Sequence, residues 1–271
     1  MKNKLLNYYY FILGKLAKRY IQRHKPEIIG ITGSVGKTGL RAIIYTVLQK
    51  DLKNKIIYSS PKNFNGRFGF SLSILKIEDY SPGVLSLIAV FFVALYRSLF
   101  WGKKYNVIVL EYGIDEIGEM DFLLSIAKPN ISIFTKIDKV HCMNFGSPDV
   151  TATEKFKLME NAKDVVILNY DDSYARSGYS KINVDKFFYS TQPEGKNVDI
   201  DFQDATLIED NGRIYSKFNL RIKNKFLFVK TNLLSRESYG YTGVAILILD
   251  ILSNKLNSVS FLQDHPGSEI H

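Results

Sequence analysis

The stretch Ile28-Ile29-Gly30-Ile31-Thr32-Gly33-Ser34-Val35-Gly36-Lys37-Thr38 decides how this chain is interpreted. An apolar segment typical of a buried strand runs into a glycine-rich turn. Gly-Lys-Thr then opens a helix that we expect to continue through Lys50. Successive backbone N–H groups in such a turn hold phosphate oxygens, and the helix N-terminus adds the positive end of its dipole. The stretch therefore predicts a phosphate-binding loop.

Each residue type in this loop has a chemical reason. Lys37 would reach the β- and γ-phosphates of a nucleotide, and the Thr38 hydroxyl would ligate Mg²⁺. The general pattern has glycine five residues before Gly36, where this chain has Ile31, so the loop is the variant Thr-Gly-Ser-x-Gly-Lys-Thr. The predicted nucleotide-binding residues of the loop are Gly33, Ser34, Val35, Gly36, Lys37 and Thr38.

Short apolar segments rich in β-branched residues recur along the chain and alternate with helical patterns. Strands buried on both faces have this composition, and a parallel sheet flanked by helices buries them. The predicted fold class is therefore α/β, with a mostly parallel sheet of the phosphate-loop type. The five predicted strands are 27–31, 55–58, 106–110, 131–135 and 165–168.

The pattern changes after about residue 180. Asn211-Gly212 is a strong hairpin signal, and Lys223-Asn224-Lys225 is a second polar turn. They predict a small antiparallel meander, followed by a helix at 239–252 and a terminal tail. The predicted strands of the meander are 205–208, 213–217, 218–222 and 226–230.

Composition and charge exclude several classes of protein. With 46% hydrophobic and 23% charged residues, the chain has the composition of a folded globular protein. Its one cysteine, Cys142, excludes a disulfide framework and fits a reducing cytoplasmic setting. Residues 1–25 carry seven basic residues and no acid, which leaves 29 of the 36 basic residues against all 27 acidic ones. The body is thus nearly neutral, and we expect no nucleic-acid partner.

Two apolar segments could contact a membrane. Segment 5–21 is interrupted by basic residues and precedes no small-residue cleavage site, which argues against a signal peptide. It fits either an amphipathic helix packed on the body or a helix lying on anionic lipid. Segment 84–101 is apolar only as far as Tyr96, too short for a span of about 20 residues. A core or interface helix is favoured there, and shallow insertion beside the basic residues 1–25 stays open.

The loop variant resembles the signature of the Mur ligase family, whose members couple ATP hydrolysis to amide-bond formation. Further segments resemble, in order, the branch of the family that adds D-alanyl-D-alanine. They are 63–72 (an Asn-rich element), 109–113 with 118–120, 141–147 and 168–172. The resemblance covers roughly residues 26–255 and implies the family's central ATP-binding domain, preceded by a basic arm at 1–25 and followed by a hinge stub at 256–271.

The resemblance implies two magnesium sites. Glu111 ends a predicted strand, where ligands of open α/β sheets lie, and would ligate the Mg²⁺ that Thr38 also holds. His141 is implied as a catalytic residue and a ligand of the second Mg²⁺. Asn169 is implied as a nucleotide contact.

Lys155 follows His141 by 14 residues, the spacing at which the family carries a carbamylated, metal-ligating lysine. Ser147-Pro148 provides a good helix start before it, with serine as N-cap and proline at the first position. By pattern alone, Lys155 and Lys157 belong to a solvated face. The resemblance instead implies that Lys155 is a catalytic, metal-binding residue.

The implied chemistry is an acyl-phosphate mechanism. A substrate carboxylate attacks the γ-phosphate of ATP, and an amine then displaces phosphate to form an amide. Lys37 and the metals would stabilise the charge on the transferred group. The implied partners are a UDP-sugar peptide and a dipeptide. We expect a cytoplasmic location, with the inner face of the membrane as an option.

The chain departs from the family pattern at several positions. Lys136 stands where the family has asparagine, Tyr241 where an asparagine helix start contacts adenine, and Ser268 where the hinge has arginine. The sequence stops where the family's C-terminal domain begins, so a separate domain or chain is an expected partner. A non-catalytic nucleotide-binding scaffold at the membrane surface and a folate polyglutamylating ligase remain alternatives.

Overall fold

The computed structural model describes residues 2–62, 64–102, 105–138, 145–255 and 269–270. Its strands are β1 (Glu27–Thr32), β2 (Ile57–Ser59), β3 (Val107–Glu111), β4 (Ile131–Phe134), β5 (Val165–Asn169), β6 (Asp185–Pro193), β7 (Ile200–Asp210), β8 (Arg213–Ile222), β9 (Lys225–Thr231) and β10 (Glu269–Ile270). Its helices are α1 (Lys2–His24), α2 (Lys37–Asp51), α3 (Gly66–Ile74), α4 (Val84–Leu99), α5 (Glu119–Ile126), α6 (Pro148–Glu160), α7 (Ser173–Gly178) and α8 (Arg236–Lys255).

All these strands form one sheet, in the order β10-β9-β8-β7-β6-β5-β4-β1-β3-β2. Neighbours from β2 to β7 pair in parallel, whereas β7, β8 and β9 pair antiparallel. The predicted α/β class is confirmed, and so is the antiparallel meander near the C-terminal part. The turns at Asn211-Gly212 and Lys223-Asn224 both connect antiparallel neighbours, as expected.

Three details of the strand prediction were wrong. Segments 213–217 and 218–222 are one continuous strand, β8. The prediction lacked β6, which extends the parallel sheet beyond β5. It also lacked β10, which lies within the predicted tail and pairs with β9 in parallel. β6 escaped prediction because it begins with charged residues and its aromatic run, Phe187-Phe188-Tyr189, is only three residues long. Polar residues follow this run, although burial continues to Thr191.

The apolar strands are explained by two cores, one on each face of the sheet. In β1, Ile28 packs with α1, α3 and α5 on one face, whereas Ile29 and Ile31 pack with α2 and α8 on the other. In β3, Ile108 belongs to the same core as Ile28, and Val109 belongs to the core on the opposite face. Because successive side chains point to opposite faces and both faces are covered, nearly every position in these strands is apolar.

Helix α1 is packed on the body through one stripe. Leu13, Ala17 and Tyr20, spaced four and three residues apart, have no exposed surface and belong to the same core as α3 and α5. The Tyr9 hydroxyl donates a 2.7 Å hydrogen bond to the carbonyl of Leu87 in α4. The inner face of segment 5–21 is therefore that of an amphipathic helix packed on the body, the first of the two expectations for this segment.

Helix α4 lies at the surface and is not a core helix, contrary to one of the expectations for segment 84–101. It buries only Val90, Ala94 and Ser98, which follow one another at intervals of four residues. Of the helices in the described part of the chain, none has the length and apolar character needed to cross a membrane.

Candidate functional site

Four adjacent parallel strands deliver the candidate residues to one edge of the sheet. β1 leads into the phosphate loop, β3 ends at Glu111, β4 leads to Thr135, and β5 ends at Asn169. Ile31 and Glu111 are register partners, so the backbone of Glu111 lies one strand spacing, about 4.8 Å, from the end of β1, which leads into the loop. This edge, at the strand C-termini, is where open α/β sheets bind ligands.

The loop needs glycine at two positions. Gly33 has φ +142° and Gly36 has φ +85°, conformations that L side chains rarely adopt. There is also no room for a side chain, because a Cβ at Gly33 would collide with the Thr135 hydroxyl and one at Gly36 with the Tyr241 hydroxyl. Backbone conformation and close packing both explain the glycines of this loop.

Thr135 clamps the loop from the neighbouring strand, a role that the sequence analysis missed. Its hydroxyl donates to the carbonyl of Val35 at 2.6 Å, and the Ser34 N–H donates to the carbonyl of Lys136 at 2.7 Å. Lys136, which replaces a family asparagine, contacts the loop with its backbone while its side chain is exposed. A threonine directly after a buried strand was the only signal for this contact.

Lys37 is folded back on the loop. Its Nζ donates to the carbonyls of Gly33 at 2.7 Å and Ser34 at 3.1 Å. Burial lowers the pKa of Lys37, and the charges of Glu111 and Asp115 oppose part of this effect. A partly desolvated ammonium group is suited to bind an anion strongly, because the attraction is screened less than in water.

Ser34 provides a test of the phosphate reading. Its hydroxyl oxygen is buried and has no hydrogen-bond partner among the described residues. Buried polar atoms are nearly always satisfied in folded proteins, so an unpaired hydroxyl within a turn of backbone N–H groups suggests an external partner. A phosphate oxygen fits this position.

Thr38 and Glu111, the two side chains predicted to ligate one Mg²⁺, lie close together. Thr38 Oγ1 lies 3.5 Å from Glu111 Oε2. Glu111 Oε1 is buried and accepts no well-aligned hydrogen bond from the described residues. Hydroxyl and carboxylate oxygens are ligands that Mg²⁺ prefers, so these two side chains fit the ion. Within the described ranges, no three His, Cys, Asp or Glu side chains cluster as a metal site.

Arg41 is the charge partner of Glu111 and was also missed. The two side chains are almost completely buried, and Arg41 Nε lies 2.9 Å from Glu111 Oε1. The same guanidinium donates to the carbonyls of Ser60 and, at 3.3 Å, Lys62. Arg41 lies on the buried face of α2 together with Ile44, and a charge on an apolar helix face could have revealed it.

Two of the matched segments meet beside this pair. The Gly66 N–H donates to the carbonyl of Gly113 at 3.0 Å, and Asn65 packs so closely on Gly113 that a Cβ there would collide with it. Arg67 Nε lies 3.7 Å from Glu119 Oε1. The Asn-rich element therefore contacts the strand end that carries Glu111.

Lys155 is buried, so the solvated face predicted by pattern alone is wrong at this position. It is 4% exposed on α6, with Nζ 6.0 Å from the centroid of Phe145. The predicted helix start is confirmed, since Ser147 Oγ accepts from the Val150 N–H at 3.2 Å. Lys157 is partly exposed and pairs with Asp121 at 2.6 Å. His141 lies outside the described residues.

Segment 168–172 organises the loops of this edge. Asn169 Oδ1 accepts from the Asp171 N–H at 2.9 Å, and Asp172 accepts from the Ile137 N–H at 2.9 Å. The second bond fixes the chain just after Lys136. Asn169 as a nucleotide contact stays a prediction.

Tyr241 supports the loop from α8. It is buried, with its hydroxyl directly below Gly36, and burial raises its pKa to about 12. At the position where the resemblance implies an adenine-contacting asparagine, this chain therefore has a residue that packs on the loop. Ser268 lies outside the described residues.

Comparison with known proteins agrees with this geometry. The chain is 27% identical over 170 residues to the UDP-N-acetylmuramoyl-tripeptide–D-alanyl-D-alanine ligase of Bacillus subtilis, covering 62% of this chain and 31% of the relative. It is 26% identical over 274 residues to the enzyme of the same name from Rickettsia prowazekii, covering 96% of this chain and 52% of the relative. The chain therefore spans a third to a half of these relatives.

A solved structure shares the fold. The MurF ligase of Thermotoga maritima in complex with ADP superposes with a TM-score of 0.66 at 20% identity, covering 93% of this chain and 51% of that one. Residues 31–238 match the family model described as the Mur ligase middle domain. Because this match includes the phosphate loop and most of the sheet, the chain belongs to the Mur ligase middle-domain family.

Proposed function

We propose that this chain is the ATP-binding core of an ATP-dependent amide ligase that acts on peptidoglycan precursors. One observation carries the proposal. The loop holds a lysine and an unpaired buried hydroxyl at Ser34, while Thr38 and Glu111 converge beside them within 3.5 Å. This arrangement supports the binding of a nucleoside triphosphate and a divalent cation at the same edge of the sheet.

In the proposed reaction, a carboxylate oxygen of the first substrate bonds to the γ-phosphorus of ATP, and ADP leaves. The amine of the second substrate then attacks the acyl carbon, releasing phosphate and a proton as the amide forms. Lys37 would exchange the carbonyls of Gly33 and Ser34 for phosphate oxygens. Mg²⁺ held by Thr38 and Glu111 would neutralise part of the charge on the phosphates.

The specific reaction that we propose is the addition of D-alanyl-D-alanine to a UDP-MurNAc-peptide. It is supported by the names of the relatives and by the contact between the Asn-rich element and the Glu111 strand end. Because the chain spans only part of the relatives' length, we include a separate C-terminal domain or chain as a partner. His141 and a carbamylated Lys155 are proposed as ligands of a second Mg²⁺.

The first test is ATP binding by calorimetry with and without Mg²⁺. We expect Mg²⁺-dependent binding that weakens at least about tenfold in Lys37→Ala, because a charge-assisted contact is lost. Lys53→Ala, an exposed lysine after α2, is the matched control and should bind as the unmodified chain does. Absence of ATP binding in the unmodified chain would contradict the proposal.

The second test is phosphate release with the UDP-sugar tripeptide and D-alanyl-D-alanine, in the presence of a supplied C-terminal domain. Release that depends on both substrates supports the ligase. ATP binding without stimulated release favours the non-catalytic scaffold. Release stimulated by a folate and glutamate instead favours the folate polyglutamylating alternative.

A further inference from the structure

The outer face of α4 is an apolar surface that nothing in the described chain covers. Between Val84 and Tyr96 the sequence contains no charged residue. Large apolar side chains are exposed along one face of α4 and at its C-terminal end, and together they are called the α4 ridge: Leu85, Ile88, Phe92, Tyr96 and Phe100. Leu85 is 83% exposed and Phe92 is 61% exposed. Isolated exposed apolar residues are ordinary, but a contiguous set indicates an interaction surface.

Helix α4 cannot use this surface as a membrane span. Its 16 residues measure about 24 Å, less than the roughly 30 Å of a hydrocarbon core. Its opposite face is also committed to the protein through Val90 and Ala94, and Arg97 donates to the carbonyl of Leu75 at 2.8 Å. The helix is therefore anchored along one side and can present the ridge only sideways to a partner.

The neighbouring helix supplies positive charge. α1 contacts α4 at both ends, through Tyr9 with Leu87 and through Arg23, which donates to the carbonyl of Ser98 at 2.9 Å. The side of α1 opposite its buried stripe carries exposed basic residues: Lys4, Lys15, Lys18 and Arg19. Neither residues 1–25 nor residues 81–110 contain an aspartate or glutamate.

We infer that α1 and α4 dock this domain on an anionic lipid bilayer, with the α4 ridge inserted among the lipids and the α1 lysines over the headgroups. The acid-free apolar ridge matches the acyl-chain region of such a bilayer, and the basic helix beside it matches the anionic headgroup region. A second copy of this chain fits less well, because pairing two ridges brings two basic helices together.

The proposal is tested by sedimentation of the full chain with phosphatidylcholine vesicles, with and without phosphatidylglycerol. We expect binding that requires phosphatidylglycerol and weakens as salt is raised. Leu85→Ser combined with Phe92→Ser should weaken vesicle binding at least about tenfold, since two large apolar side chains no longer insert. The matched control is Leu207→Ser with Ile214→Ser, which removes two exposed apolar side chains, 63% and 56% exposed, from the β7–β8 hairpin.

The charge contribution has its own pair of variants. Lys15→Gln with Lys18→Gln should weaken binding about thirtyfold, because each of the two lysines contributes about 1 kcal/mol near an anionic surface and about 1.4 kcal/mol corresponds to a factor of ten. Lys53→Gln with Lys128→Gln makes the same change of charge at exposed sites outside α1 and α4, and should bind as the unmodified chain does. Equal losses in both pairs would mean a diffuse charge effect and would overturn the role of α1.

Trp101, the single tryptophan, follows the ridge, is partly exposed and packs against Tyr20, so its fluorescence reports lipid close to this end of α4. Brominated acyl chains should quench its fluorescence in bound protein. Sedimentation without quenching means that another face binds lipid. No vesicle binding, binding unchanged in the ridge variant, or a dimer that the ridge variant abolishes would each overturn the proposal. ATP binding of the same variants is measured in a separate experiment. The vesicle result therefore remains valid even if the proposed ligase function fails.

Discussion

The phosphate-loop edge and the α1–α4 surface depart from ordinary protein construction in opposite ways. At the loop edge, charged and polar groups such as Lys37, Arg41 and Glu111 are wholly or partly buried. At the α1–α4 surface, large apolar groups such as Leu85 and Phe92 are exposed. Burying a charge and exposing an apolar patch both forgo stability, so each region is best understood through something it binds.

The largest effect expected at the loop edge concerns Arg41. Arg41→Gln leaves the Glu111 carboxylate buried without its counter-charge and should cost about 4 kcal/mol of unfolding free energy. Mg²⁺ should restore part of this loss, because the ion supplies positive charge at the same carboxylate. Thermal melts with and without Mg²⁺ measure it, and the Mg²⁺-induced rise in Tm should be larger in the variant than in the unmodified chain. An equal rise in both would argue against a metal at Glu111.

The loop conformation comes next. Gly33→Ala places a Cβ on a residue with φ +142° and against the Thr135 hydroxyl. We expect the unfolding free energy to fall by about 2 kcal/mol and ATP binding to be lost. Gly39→Ala is the matched control, since Gly39 lies exposed on α2 with open space around it. The control should gain about 0.5 to 1 kcal/mol from helix propensity. Denaturant unfolding distinguishes these outcomes, and equal effects of the two substitutions would remove the argument for a strained loop.

A smaller effect follows from the buried Tyr241 hydroxyl. Burial raises its pKa from the usual value of 10.0 to about 12. The neutral hydroxyl is therefore favoured in the folded state. Its contribution to the unfolding free energy is complete below pH 10 and is lost as pH rises through about 12. Relative to the unmodified chain, Tyr241→Phe should gain about 1 kcal/mol of stability between neutral pH and about pH 11. A stability difference that does not change with pH would contradict this assignment.

The smallest effect is expected at the α4 ridge. Leu85→Ser with Phe92→Ser should change unfolding free energy by no more than about 0.5 kcal/mol per site, because these side chains are exposed. Leu13→Ala, in the buried stripe of α1, should cost about 3 kcal/mol. The contrast separates residues that hold the fold from residues available to a partner. A large loss in the ridge variant would mean that α4 is packed more deeply than its exposure indicates.

Much of the loop edge could be predicted from sequence because its rules are local. A buried strand, a glycine turn and a Gly-Lys-Thr helix start are consecutive residues, and Glu111 directly follows an apolar run. β6 escaped prediction because its burial depends on neighbours from β5 and β7. The burial of Lys155 was visible only through the family resemblance, since the charge pattern of α6 by itself favours a solvated face.

What the sequence by itself determined is the set of strands around the loop, the glycines that the loop conformation requires, and the basic arm. These follow from backbone preferences and from the spacing of neighbouring residues. Tertiary structure alone decided that Thr135 clamps the loop and that Arg41 neutralises Glu111. It also decided that the described residues leave the apolar ridge of α4 uncovered. Each of these depends on which surfaces meet when the sheet and its helices pack, and the contacting residues are far apart along the chain.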